Sequence, residues 1–305
     1  MNLTKKNILI VGGTGFVGFH LARKCKLNKL NITSFSISKP KKKRYLKGVK
    51  YVFGNIRNKK SLKKLNRLKF HFVVNCGGYV DHINKKKTYD SHYNGCVNLY
   101  DYFKDKNLLA FIQMGSSSEY GKENSPLKES IAGNPKDIYG KSKLLASNFL
   151  LKKNFENGFP SIILRLFHVF GPFQDDNRFI PFVINECLNG RKFDCSDCTQ
   201  KRDFLSIDDA IKAILLCLKE KKAIGQIINI GSGKTIILKN VIKGIIKIIK
   251  KGQPNFGKIK LRSDENKIIY PDIKKAKKIL NWKSKDNFNY KIKETINYYR
   301  GKQSL

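Results

Sequence analysis

The chain has 305 residues, 41% hydrophobic and 28% charged, which leaves room for one large domain or two modest ones with a proper core. No apolar run approaches the ~20 residues of a membrane span, the apolar stretch 8–11 breaks at Gly12 and Gly13 instead of continuing as a secretory signal, and seven scattered cysteines favour a reducing, cytoplasmic setting over a disulfide framework. The net charge of +39 invites a nucleic-acid reading, yet only 10 of the 62 basic residues are arginine, the commonest base-reading side chain, and the lysines spread over the whole chain. Drift of composition toward lysine accounts for that better than a binding stripe, so neither a specific nucleic acid nor a membrane is expected as a partner.

Residues 7–11, Asn-Ile-Leu-Ile-Val, read as a buried strand, followed by a glycine-rich turn and a helix over 15–29. Further strands are expected at 32–37, 51–53, 70–75, 109–114 and 161–166, separated by lysine-rich helical stretches. Strand, crossover helix and strand repeated in this way argue for an α/β fold with a doubly wound parallel sheet. Beyond Pro172 the pattern is irregular: a helix at 179–188, a hairpin-like stretch at 191–202, helices at 238–251 and 271–280, and a last one ending before Tyr299. The run Lys39-Pro-Lys-Lys-Lys-Arg44 reads as a solvated loop.

Gly12, Gly15 and Gly18 stand directly after the first strand and open the first helix. That spacing lets the backbone turn tightly, approach a pyrophosphate and pack the helix on the sheet, while the helix N-terminus offers free N–H groups to the phosphates. Glycines also serve ordinary turns, but their place after strand one points to a dinucleotide. NAD binders commonly carry Asp or Glu at the end of strand two to hold the ribose 2′-OH. Here that place falls at Ser36 to Ser38, and residues 1–80 hold 20 Lys or Arg and not one Asp or Glu. The Ser36 hydroxyl with Lys39 or Arg44 would suit the 2′-phosphate of NADP(H), which is therefore favoured. The alternative is lysine drift that erased the acid without changing the cofactor, leaving NAD(H).

Tyr139-Gly-Lys-Ser-Lys143 opens a helical segment, and residues i and i+4 share a helix face. A lysine ammonium beside a phenol favours the phenolate, which makes such a tyrosine a usable acid/base near neutrality. By itself the spacing is common in any lysine-rich helix. Upstream, however, Gly115-Ser-Ser-Ser-Glu-Tyr-Gly121 lies at the carboxyl end of a strand, where ligands of open α/β sheets bind. A hydroxyl there could hydrogen-bond a carbonyl that Tyr139 protonates; the bland reading is a polar loop.

In this order the three motifs resemble the extended short-chain dehydrogenase/reductase family, the nucleotide-sugar epimerases, dehydratases and reductases, over nearly the whole chain. Residues 12–18 resemble its cofactor loop, with Thr14, Phe16 and Val17 joining the glycines. Gly54-Asn-Ile-Arg57 resembles its adenine-side segment, bringing Asn55 and Ile56 to the cofactor, and Ser116, Tyr139 and Lys143 resemble its catalytic set. Arg165-Leu-Phe-His-Val-Phe-Gly-Pro172, Arg202-Asp-Phe-Leu-Ser-Ile-Asp-Asp209, Asn229-Ile-Gly-Ser-Gly233 and Arg262-x-x-Glu265 follow as its later segments do. The resemblance implies that Lys143 also holds the nicotinamide ribose and that Ser116 orients the sugar oxygen. Arg202 and Arg262 would grip the substrate diphosphate through arginine's bidentate fork, with a structural salt bridge as the alternative for either. Ser117 and His168 would border the substrate.

The implied layout is a Rossmann-type dinucleotide-binding domain over 1–170, to which 200–232 return, and a smaller C-terminal substrate-binding α/β region built from 171–199 and 233–305. A homodimer through a four-helix interface is implied as well. Three departures stand out: Asn55 replaces an Asp, and His168 and His92 replace Asn. Ser117 and Ser118 occupy the places of the Asp-Glu pair that dehydratases of the family use to remove water, which argues against a 4,6-dehydratase. Two further motifs are set aside. Gly231-Ser-Gly-Lys-Thr235 lacks the first glycine of a phosphate-binding loop, since residue 228 is Ile228. Cys195-Ser-Asp-Cys198 has no second pair for zinc, and no metal is expected. The expected activity is NADPH-dependent reduction of a 4-keto sugar nucleotide. The alternatives are a 4-epimerase with tightly held NAD, resembling UDP-glucose 4-epimerase, and a non-catalytic cofactor-binding protein on the same fold.

Overall fold

In the computed structural model, which describes residues 2–79, 84–261, 265–285 and 287–303, the apolar runs of the first half build the central sheet. Its strands are β1 (Asn7–Val11), β2 (Asn31–Ser36), β3 (Lys50–Phe53), β4 (Phe72–Asn75), β5 (Ala110–Ser116), β6 (Ser161–Leu166) and, from far along the chain, Ile227–Ile230. All pair in parallel, in the order Ile227–Ile230, β6, β5, β4, β1, β2, β3. Strand side chains alternate between faces, and here both faces are apolar. Ile8, Ile10, Phe72, Val74 and Ile112 enter one core cluster, while Leu9, Val11, Val73 and Phe111 enter the other. Burial on both faces is what a parallel sheet covered by helices requires, and the expected doubly wound α/β fold is the observed one.

The chain leaves β1 toward β2 and β3, then returns to the other side of β1 to lay down β4 and β5. The crevice beyond the carboxyl ends of β1 and β4 is therefore the point where the winding reverses, the place where open sheets bind ligands. Helix α1 (Phe16–Leu27) starts there. A third cluster, containing Phe170, Ile180, Ile184, Phe193, Phe204, Ile242, Ile245, Ile296 and Tyr299, forms the core of the later segments. No helix among the described residues is long and apolar enough to cross a membrane.

Three expected elements differ. The stretch 191–202 is not a hairpin: Lys192–Asp194 pairs in parallel with Gln253–Asn255, and Lys201–Arg202 pairs with Ile236–Ile237 and Ile268–Ile269. Helix 271–280 starts late, at Lys274–Leu280, because Pro271 and Asp272 are engaged with Leu127. The last helix, Phe288–Gln303, runs through Tyr299 instead of stopping before it.

His20 fastens α1 to the segment after Pro172. Its ring lies among Phe16, Phe19 and Phe173, with centroids 5.4, 5.2 and 5.8 Å away, and Nε2 bonds the Pro172 carbonyl at 2.9 Å. Burial pushes its pKa from 6.5 down to about 4, against the pull of that hydrogen bond. The imidazole is thus neutral in the folded chain, while the unfolded chain takes up a proton below about 6.5. Stability from this residue is complete above that pH and is lost as the pH falls from 6.5 to 4, by about 3 kcal/mol. Urea unfolding at pH 7 and pH 4 is expected to show the parent losing about that much more stability than His20→Gln. Equal losses in the two proteins would refute the assignment.

Candidate active site

The glycine turn after β1 is tight for steric reasons. Gly12 has φ +73°, and a Cβ there would lie 2.9 Å from the Cys76 carbonyl; a Cβ on Gly18 would lie 2.3 Å from the Gly12 carbonyl. Gly15 sits at the N-cap of α1 and offers no side-chain cap, so the first N–H groups of that helix face the crevice without an internal acceptor. Thr14, Gly15, Phe16, Val17 and Gly18 line a cavity of about 410 Å³ together with Ser36, Asn55 and Ile56. A backbone cradle that side chains would fill, opening on a helix N-terminus, fits the pyrophosphate of a dinucleotide.

The sequence-derived cofactor residues are not all available as ligands. The Ser36 hydroxyl accepts the Thr14 N–H at 3.3 Å and contacts the Ser34 hydroxyl at 3.4 Å. Asn55 Oδ1 accepts the Arg57 backbone N–H at 3.0 Å and Nε at 3.4 Å. Ile56 is buried and its carbonyl accepts from Asn98 at 2.8 Å. Lys39 is exposed and does not line the cavity. The run 39–44 is not wholly a solvated loop, because Arg44 is buried. Its guanidinium donates to the carbonyls of Thr14 and Phe173 and to Asp175.

Ser116 ends β5, and the chain turns at once through Ser117–Tyr120. The Ser116 hydroxyl accepts the Ser118 N–H at 3.1 Å, and Glu119 reaches back to accept the Ser116 N–H at 2.8 Å. This reciprocal capping box fixes the turn. Helix Ile138–Asn157, capped by Asp137, packs its first turn on it: a Cβ at Gly140 would lie 2.5 Å from the Ser118 carbonyl. Gly140, and Tyr139 next to it, are thereby brought against the Ser117–Tyr120 turn. Lys143 is buried one turn on, its ammonium held by the Met114 carbonyl at 2.7 Å and 5.8 Å from the centre of the Tyr139 ring. On its other side Tyr139 meets His92 edge to face, with centroids 5.0 Å apart. His92 itself bonds the Tyr79 carbonyl at 3.2 Å, and Tyr79 lines the cavity.

Behind Ser116 lies a buried ion pair. Glu119 and Arg165 are 0% and 1% exposed and meet at 2.8 Å, and Ser147 donates to the same carboxylate at 2.9 Å. The Arg165 guanidinium also covers the Tyr120 ring at 4.4 Å. Both residues fall within motifs of the sequence in which neither carries an expected role; the signal for the pair is an acid just after β5 and a base in the adjacent strand β6.

The other residues expected at the substrate lie on later segments. His168 begins the short strand His168–Phe170, and its Nδ1 is buried with no hydrogen-bond partner among the described residues. Burial, then the Arg202 charge, push it from 6.5 down to about 4, so it is neutral at pH 7. Arg202 is buried and pairs with Glu265. Arg262 lies outside the described residues. The loop 231–235 turns its Ser232 and Gly233 N–H groups onto Asp203, whose carboxyl burial pushes up to about 6, and so presents no phosphate cradle.

Similarity to known proteins follows the same outline. Residues 8–231 match the model of the NAD dependent epimerase/dehydratase family. The chain is 28% identical to dTDP-4-dehydro-6-deoxyglucose reductase of Escherichia coli, over 93% of this chain and 94% of that protein. It is 30% identical to UDP-glucuronate 4-epimerase of Thermodesulfobacterium geofontis, over 68% of this chain and 65% of that one. Its fold superposes on UDP-glucose 4-epimerase of Thermotoga maritima with a TM-score of 0.92, at 22% identity, covering 97% and 99% of the two chains.

Proposed function

Because the chain belongs to the NAD dependent epimerase/dehydratase family, we propose that it reduces a 4-keto nucleotide sugar with NADPH as reductant. The observation that supports this reading is the place of Lys143, bonded to the Met114 carbonyl two residues before Ser116 and lying 5.8 Å from the centre of the Tyr139 ring. A nicotinamide held in the crevice would supply the hydride. Tyr139 Oη gives its proton to the oxygen of the forming alcohol. Ser116 Oγ already accepts the Ser118 N–H, so its own O–H is left to donate to that same oxygen. Lys143, fixed by the Met114 carbonyl, stabilises the negative charge left on Tyr139 and holds the nicotinamide ribose. Arg202 and Arg262 take the substrate diphosphate, Arg202 by exchanging Glu265 for it, with Ser117 and neutral His168 along the sugar-nucleotide path. Ser117 and Ser118 leave no acid pair to expel water, which disfavours dehydration. The preference for NADPH rests on the carboxylate missing from the β2 exit, where Ser36, Ile37 and Ser38 stand.

A 4-epimerase is the second reading, favoured by the similarity to UDP-glucuronate 4-epimerase. A panel of 4-keto and parent nucleotide sugars, assayed with each nicotinamide cofactor, separates the two. Consumption of NADPH with a 4-keto substrate is expected. Interconversion of parent sugars without added cofactor, by protein purified with oxidised dinucleotide bound, would establish the epimerase instead.

A further inference from the structure

The acid-free first 80 residues do not leave the cofactor crevice without a carboxylate. Asp175 arrives from a segment 134 residues beyond Lys41 and bonds its ammonium at 2.9 Å, while Arg44 bonds the same Oδ1 at 3.0 Å. Asp175 lines the same cavity as the glycine turn and Ser36, Ile37 and Ser38, and Gln174 and Arg178 flank it there. Lys41 and Arg44 do not line the cavity themselves but stand directly behind Asp175, and both come from the connection after β2, where the 2′ position of an adenosine ribose is read in dinucleotide folds.

The clasp is built rather than incidental. The Arg44 side chain is 7% exposed; the Nη2 that bonds Asp175 also donates to the Phe173 carbonyl, and Nη1 donates to the Thr14 carbonyl. Phe173 is held at φ +65°, a left-handed conformation uncommon for a bulky residue, by ring packing against Phe19, His20 and Tyr298. That conformation aims its carbonyl at Arg44. Lys41, by contrast, is 73% exposed and Asp175 37% exposed, so the ion pair opens toward solvent on one side only. Partial burial raises the Asp175 carboxyl, and Lys41 and Arg44 outweigh this and hold it below the ordinary carboxylate value.

We propose that Asp175 is a selectivity gate for the cofactor: it occupies the cations Lys41 and Arg44 that a 2′-phosphate needs, and NADP(H) binds by displacing it. Arg44 stays in place through its two backbone carbonyls, and the half-exposed carboxylate is the partner free to leave. A phosphate of charge about −1.5 to −2 brings more charge to Lys41 and Arg44 than the single carboxylate it replaces, and NAD(H) brings nothing to displace it. The gate therefore taxes NADP(H) alone and limits a preference that the missing β2 carboxylate would otherwise make large. This rests on the NADP(H) reading above and is independent of which sugar is the substrate.

Titration of NADPH and NADH fluorescence with the full chain tests it. Asp175→Asn, which keeps the shape and removes the charge, is expected to tighten NADPH about tenfold and leave NADH within about twofold. Lys41→Ala, at an exposed position, is expected to weaken NADPH several-fold with NADH unchanged. The unchanged NADH affinity reports an intact fold in both variants. A ratio of the two affinities that neither substitution moves overturns the gate and leaves the NADP(H) reading standing. Tighter binding of NADH than NADPH by both the parent and Asp175→Asn overturns that reading and the gate with it.

Discussion

Tyr139→Phe is expected to lower kcat by about 10²–10⁴-fold, the usual worth of a positioned proton donor, and to leave cofactor affinity and KM within about twofold. The phenyl ring remains in the variant, so its edge-to-face contact with His92 and the packing of Gly140 on the Ser118 carbonyl are kept. Only the hydroxyl proposed to deliver the proton is lost. That loss corresponds to about 3–5 kcal/mol of transition-state stabilisation, and it falls on kcat because the proton moves only as the carbonyl oxygen gains charge. Single-turnover kinetics with a saturating 4-keto nucleotide sugar check it directly. Retention of a tenth or more of the parent rate would mean that another group delivers the proton. It would also revive the non-catalytic reading of the Tyr-x-x-x-Lys spacing.

What could be read in advance divides along sequence distance. The glycine turn was legible because Gly12, Gly15 and Gly18 act within one turn and one helix, and their constraint is steric. The first six strands of the sheet were legible because burial on both faces writes short, largely apolar runs, whereas Ile227–Ile230 was not foreseen as the seventh. The nearness of Lys143 to Tyr139 was legible because a helix fixes the relation of i to i+4. The stretch 191–202 was misread for the converse reason: its partners are Gln253–Asn255, Ile236–Ile237 and Ile268–Ile269, and nothing within the stretch encodes a register with strands that far away. Arg44 looked like one more solvated cation in a lysine-rich run; what buries it is Phe173 and Asp175, well over a hundred residues later. The proposed 2′-phosphate ligands show the same limit at the site itself. Ser36 and Arg44 were identified by type and place, yet the first is already bonded to Thr14 and the second to Asp175. Composition located the crevice's missing acid, and only the folded chain shows where another one comes in.

Arg165→Met is expected to destabilise the fold by about 3–5 kcal/mol, the cost of leaving one partner of a buried ion pair uncompensated. The stranded partner is Glu119, 0% exposed, and methionine fills the guanidinium's space without supplying a donor. The pair itself adds little net stability, because Arg165 Nη1 has no hydrogen-bond partner among the described residues and the charges are only partly compensated. The double variant Glu119→Gln/Arg165→Met is therefore expected to recover most of the loss. A glutamine carbonyl can still accept the Ser116 N–H, and its amide can donate to the Ser147 hydroxyl, so the turn carrying Ser116 survives without either charge. Urea unfolding of the parent, the single variant and the double variant measures the coupling. A single variant as stable as the double would show that Glu119 does not depend on Arg165. The ion pair would then have to be dropped as the support of the catalytic turn.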